Sequence, residues 1–219
     1  MGEMMKKIKV ILKAMAAAAL TAVVVCSCAN PNAGDDTSSP TATDPYADKI
    51  VVGSTDCSSG WWTAFSSTIE VPVNESRTFK FTNYGDGDAN WHNFLAVLTT
   101  TSTNPTDSAY SSSDEICVVR ADNYGWGTGY STATLTSNWD WDNFYAITNG
   151  AEVTAVVTNN NGTVDVAFTV VPGSAYTGTT ESFYQNYAGI TSTADASVYV
   201  TFTTENGFLV FDKEVEDAE

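Results

Sequence analysis

Val164, Val166, Phe168 and Val170 alternate with Asp165, Ala167 and Thr169, and Phe79 and Phe81 alternate with Lys80 and Thr82. A period of two puts one face of a strand in a core and the other in water, as in antiparallel sheets; a helix would need a period near 3.6. From Lys49 onward short runs of Val, Ile, Thr, Phe and Tyr recur: IVVG (50–53), STIEVPV (67–73), RTFKFTNY (77–84), NFLAVLTT (93–100), EICVVRA (115–121), AEVTAVVT (151–158), TVDVAFTVV (163–171), ASVYVTFT (196–203) and FLVFD (208–212). Asn159-Asn160-Asn161-Gly162 and Glu205-Asn206-Gly207 separate neighbouring runs with residues that tolerate positive φ, a hairpin signal. Strands without intervening helix repeats predict an all-β fold, an antiparallel β-sandwich of jelly-roll or Greek-key form. One segment breaks the pattern. Residues 137–150, SNWDWDNFYAITNG, have a Ser or Asn cap, Asp140 and Asp142 in a first turn and Gly150 as a stop, predicting one short helical insert that packs Trp141, Phe144 and Tyr145 or Ile147 across a sandwich end.

The sandwich occupies 49–219 as a single domain, and the segments before it have other uses. Lys6, Lys7, Lys9 and Lys13 precede an uncharged stretch of about 12 residues that ends at small residues, the layout of an export signal too short to span a bilayer as a mature helix. Val25-Cys26-Ser27-Cys28 resembles a bacterial lipobox, with Cys28 the lipidated residue and 1–28 the signal; the alternative is an ordinary cleaved signal with incidental cysteines. Residues 29–48, rich in Pro, Ser, Thr and Asp, predict a flexible tether. Asp35-Asp36 resembles the acidic cue that sends some lipoproteins outward, so the expected location is exported, lipid-anchored and facing out from the outer membrane.

Without residues 1–28 the chain keeps 5 basic residues (Lys49, Arg77, Lys80, Arg120, Lys213) against 25 acids, a formal charge of −20. Such a surface repels nucleic acid and anionic headgroups, leaving the lipid as the expected membrane contact and neutral ligands, cations or basic proteins as partners. About 190 residues suffice for one well-buried core. In an oxidising compartment Cys57 and Cys117 form a candidate disulfide, with two buried free thiols as the open alternative.

All 6 tryptophans fall outside the predicted strand cores: Trp61-Trp62, Trp91, Trp126, Trp139 and Trp141. Indole faces stack on the C–H face of a pyranose, while Asn, Asp, His and Arg suit its hydroxyl edge. Trp126, Tyr124 and Trp139 are therefore candidate stacking residues, and Arg120, Asp122, His92 and Asn93 candidate hydroxyl partners. Trp61, Trp62 and Trp91 can equally plug the ends of the sandwich, and a lone His92 can be structural. The boldest expectation is that at least three of the six tryptophans line one exposed cleft. Asp86, Asp88 and Asn90 place oxygen donors at alternate positions around glycines, a candidate Ca²⁺ loop lacking the closing Glu of an EF-hand; an acidic hairpin turn is the alternative. No nucleophile elbow, phosphate loop or zinc-type cluster is present in the sequence.

The stretches GWWTAFSSTIEVP (60–72), FTNYGDGDANWHNF (81–94), VVRADNYGWGTGY (118–130) and NWDWDNFYAITNGAEVT (138–154), with the lipobox and tether, resemble the small surface glycan-binding lipoproteins of gut bacteria and their carbohydrate-binding modules. The resemblance spans 50–212 and implies a jelly roll that captures a polysaccharide without catalysis of its own. An adhesin or structural subunit bound to another surface protein, and a glycosidase or polysaccharide lyase using the pair Asp140 and Asp142 or the pair Glu115 and Asp122, are the competing expectations.

Overall fold

All nine strand-forming runs lie on strands of the computed structural model, which describes residues 44–86, 92–127, 134–135 and 141–212. In chain order the elements are β1 (Lys49–Gly53), β2 (Ile69–Val71), β3 (Ser76–Gly85), β4 (Asn93–Thr99), β5 (Glu115–Arg120), β6 (Trp126–Gly127), β7 (Thr134–Leu135), α1 (Phe144–Thr148), β8 (Ala151–Asn159), β9 (Thr163–Val171), β10 (Phe183–Thr191), β11 (Val198–Glu205) and β12 (Gly207–Asp212). They form a seven-stranded sheet, β1-β12-β3-β8-β9-β10-β7, and a five-stranded sheet, β2-β11-β4-β5-β6. Every pairing is antiparallel. Pairings β1 with β12, β2 with β11, β3 with β8 and β4 with β5 are nested, which is the jelly-roll arrangement. The two Asn-Gly turns close as the sequence predicts, with Asn161 (φ 56°) and Asn206 (φ 51°) in the left-handed region.

The inward faces meet in an aromatic and β-branched core. Phe79 and Phe81 of β3 pack on Phe202 of β11 with ring centroids 4.9 and 5.4 Å away, and Phe94 of β4 meets Phe168 of β9 at 5.2 Å. Among the described residues of the 137–150 segment, the short helix covers Phe144–Thr148, led in by a 3-10 turn over Trp141–Asn143. Phe144 and Ile147 are buried, and Gly150 ends the segment at φ 67°. Ser137 to Asp140, including Trp139 and the carboxylate of Asp140, lie outside the described residues.

Three features differ from expectation. The nine-residue β10, FYQNYAGIT, has no clean alternation because Gln185 takes an inward position and a register shift between Tyr187 and Ile190 interrupts the period; Gly189 sits there at φ 71°. Gln185 donates to the Ala121 carbonyl and the Tyr187 hydroxyl to that of Arg120, so β10 ties the end of β5 in the opposite sheet. Second, Tyr46 of the expected tether already packs on the sandwich: it lies edge-on to Phe208 at 5.5 Å, and Tyr84 stacks on Phe208 at 4.7 Å. Third, Cys57 and Cys117 form no disulfide and are free. Cys117 points into the core, where burial pushes its thiol up to about 12. Cys57 lies in the turn after β1, near Asp86 and Tyr46. A disulfide requires tightly matched Cα positions and Cβ vectors, and the sandwich commits these two thiols to different surroundings.

Candidate functional site

β4 is buried at all seven positions, on both faces, although only one face can meet the other sheet. Its alternation sends Phe94, Ala96 and Leu98 into the core and Leu95 and Val97 outward. Leu95, Val97 and the adjacent Val118 of β5 have no solvent exposure and form a second apolar cluster, covered by Trp62. Trp62 reaches that position through a left-handed backbone, φ 60°, an uncommon conformation for a bulky residue that costs about 1–3 kcal/mol. The preceding turn is closed by the Thr63 hydroxyl, which donates to the Gly60 carbonyl at 2.8 Å.

Two further indoles join Trp62. Trp61 and Trp62 have centroids 5.7 Å apart, Trp61 and Trp126 5.6 Å, and Trp62 and Trp126 6.1 Å, with tilts of 33°, 53° and 40°. Phe65 meets Trp62 edge-on at 5.1 Å. Trp62 forms the floor, while Trp61 and Trp126 remain 39% and 37% exposed and Tyr124, on the adjoining turn, is 80% exposed. Gly127 permits the approach of β6: its φ is 132°, and a Cβ there would lie 2.5 Å from the Cys117 Cα.

The charged groups beside this platform are largely engaged with one another. Arg120 lies on the outer face of β5, opposite Leu95, with its guanidinium carbon 4.8 Å from the Trp61 ring centroid. Its Nε and Nη2 donate to Asp122 Oδ1 and Oδ2 at 2.9 and 2.6 Å, and Nη2 also donates to Glu205 Oε2 at 3.1 Å. Burial raises the Glu205 carboxyl above its ordinary value; Arg120 pulls it down, and Asp122 pushes it up again. Glu115 accepts from the Trp126 indole N–H at 3.1 Å and, through its other oxygen, from the Tyr110 hydroxyl at 2.6 Å.

Trp126, Tyr124, Arg120 and Asp122 are thus brought together, but Arg120 is held by Asp122 and lies against Trp61. Asn93 lies under the same loop, buried, with its side-chain oxygen accepting from the Asp122 backbone N–H at 3.3 Å; it braces the turn. His92 is completely buried, its ring centroid 5.4 Å from Phe144 and 5.1 Å from Tyr145, and its Nε2 bonds the Thr148 hydroxyl. That hydroxyl already donates to the Phe144 carbonyl, so it accepts from an Nε2–H tautomer. The expected hydroxyl-binding role of His92 is therefore replaced by a structural one. A Cβ on Gly85 would lie 2.2 Å from the His92 ring, so Gly85→Ala is expected to lower stability by about 1–3 kcal/mol in chemical denaturation, the range for overpacking; an unchanged midpoint would mean this corner yields.

Trp139, Asp88 and Asn90 lie outside the described residues. Asp86 is described, its backbone N–H donating to the Asn206 carbonyl at 3.0 Å, and among the described residues no group of three or more metal-ligating side chains is gathered. The platform residues that sequence reasoning missed are Trp61 and Trp62, taken equally well as end plugs, together with Glu205; Glu115 enters the sequence reading only as a candidate catalytic acid beside Asp122. The available signal was the outward apolar pair Leu95 and Val97, which demanded a cover. No protein-family model matches the chain, and no curated protein matches it.

Proposed function

We propose that the outer face of the five-stranded sheet is a glycan-binding platform on a non-catalytic, exported, lipid-anchored protein. The observation that carries this is the pair of half-exposed indoles, Trp61 and Trp126, beside the exposed Tyr124 on a fully packed apolar floor. Rings held this way offer a pyranose apolar contact while its hydroxyls stay in water. Arg120 is shared by two acids, and Glu115 adds a third, so the platform's surroundings favour a neutral or weakly basic glycan and disfavour uronates and sulfates. The lipobox at Val25–Cys28 supports anchoring through Cys28, and the tether supports presentation at the cell surface.

The test is titration of the chain from residue 29 onward, which contains every described strand, with arabinoxylan, mixed-linkage β-glucan, galactomannan and starch. Intrinsic tryptophan fluorescence is followed with and without Ca²⁺. A saturable shift is expected, and Trp126→Ala should weaken binding at least about fivefold, since an aromatic stacking contact contributes about 1–3 kcal/mol. A Ca²⁺ requirement would bring Asp86, Asp88 and Asn90 into the site. No response to any glycan by folded protein would sink the proposal and leave the aromatic face to a protein partner.

A further inference from the structure

We infer that Glu115 is a positioning residue that holds the Trp126 indole in its outward pose, with Tyr110 holding Glu115 in turn. Its consequence for ligand rests on the glycan-binding proposal; its geometry belongs to the protein alone. Among the described residues, Trp126 lies on an edge strand of two residues, paired through Val118 with Trp126 and Cys117 with Gly127. So short a ladder fixes an exposed ring weakly. The indole N–H is a donor only, and Glu115 Oε2 receives it at 3.1 Å. Glu115 Oε1 meanwhile receives the Tyr110 O–H at 2.6 Å, so both carboxylate oxygens are engaged and the side chain has little freedom to swing away.

The supports behind this pair are ordered. Glu115 opens β5 directly after the 3-10 turn Ser112–Asp114, whose cap residue Ser111 accepts from the Ser113 N–H. The Tyr110 N–H donates to the Asp107 carbonyl at 3.0 Å. Burial and then the bond to Glu115 raise the Tyr110 hydroxyl above its ordinary value, so it remains a donor across the physiological range. Trp61 is held in a parallel way, its ring against Arg120, which Asp122 and Glu205 restrain. Both exposed indoles of the platform, Trp61 and Trp126, are thus restrained by a charged residue, and a ligand would meet rings that need no ordering. Losing that preorganisation for one ring corresponds to roughly a three- to tenfold loss of affinity.

The experiment compares Glu115→Ala, Glu115→Gln and Tyr110→Phe in the chain from residue 29 onward, with ¹⁵N-labelled tryptophan and Trp126→Phe to assign the indole resonance. Glu115→Ala is expected to move the Trp126 indole N–H resonance and increase acrylamide quenching. Glu115→Gln, whose amide oxygen can still accept, should restore the resonance in part, which a general packing defect would not do. Tyr110→Phe should produce a smaller shift of the same sign. On whichever of the four polysaccharides binds the parent, Glu115→Ala should weaken binding three- to tenfold. An unmoved Trp126 resonance in Glu115→Ala overturns the inference whether or not any glycan binds. A moved resonance with undiminished glycan affinity overturns the claim that the pose serves the ligand. A moved resonance with no glycan bound by the parent supports the positioning role while removing the glycan proposal.

Discussion

Phe168→Ala is expected to destabilise the protein by about 3–5 kcal/mol, the range for removing a buried aromatic ring and leaving a cavity. Phe168 has no solvent exposure and stands between the sheets, 5.2 Å from Phe94 and 6.2 Å from Tyr187. Both neighbours lie on hydrogen-bonded strands, so the site can collapse only partly. Urea denaturation should show the loss as a lower midpoint with little change in slope, and a thermal scan should show a drop on the order of 10 °C. A loss below about 1 kcal/mol would mean that the two sheets do not close around this ring.

Arg120→Met is expected to cost about 2–3 kcal/mol at neutral pH, through partly buried acids left without their cation. The Arg120, Asp122 and Glu205 side chains are 15%, 17% and 22% exposed, so solvent moderates the penalty without removing it. The sign of the pH dependence follows from Glu205. Burial, ahead of the opposing Arg120 and the added Asp122, raises its folded-state value, so the folded protein binds that proton more tightly than the unfolded chain. Its ionisation therefore costs stability above the folded value, and the cost is relieved as pH falls through that value toward the ordinary carboxylate range. Arg120→Met removes the contribution that lowers it, so the deficit of the variant should shrink between pH 7 and about pH 4. A deficit that stays constant over that interval would show that the acids do not depend on Arg120. Trp61 should become more accessible to acrylamide in the same variant, because the guanidinium over its ring is gone.

The strands were legible wherever the two faces of the sheet meet different solvents. β9 and β3 alternate because one side faces Phe94 and Phe202 and the other faces water. β10 escaped because an inward Gln185 and a register shift hide the same period, and the Gln185 amide N–H donates to the carbonyl of Ala121, a residue 64 positions away. The candidate site was legible by residue type and only half by place. Trp126, Tyr124, Arg120 and Asp122 are neighbours in sequence, so their association needed no fold. Trp61 and Trp62 precede Trp126 by more than 60 residues, and tertiary contacts such as the pairing of Phe65 with Thr203 and the packing of Trp62 on Leu95, Val97 and Val118 bring them to it. His92 looked like a ligand because it lies between Trp91 and Asn93; in the fold it is buried against α1.

The amino-acid order by itself determined the all-β class, both Asn-Gly hairpins, the short helix and the strong negative charge. Each is a local matter of side-chain period, turn conformation or ionisable-group count. Tertiary structure decided which apolar residues outside the core required a cover, which tryptophans supply it, and whether Arg120 faces a ligand or its own acids. Those outcomes depend on strand register between distant segments, and a shift of one residue in that register would send Leu95 and Val97 inward and leave the platform without a floor.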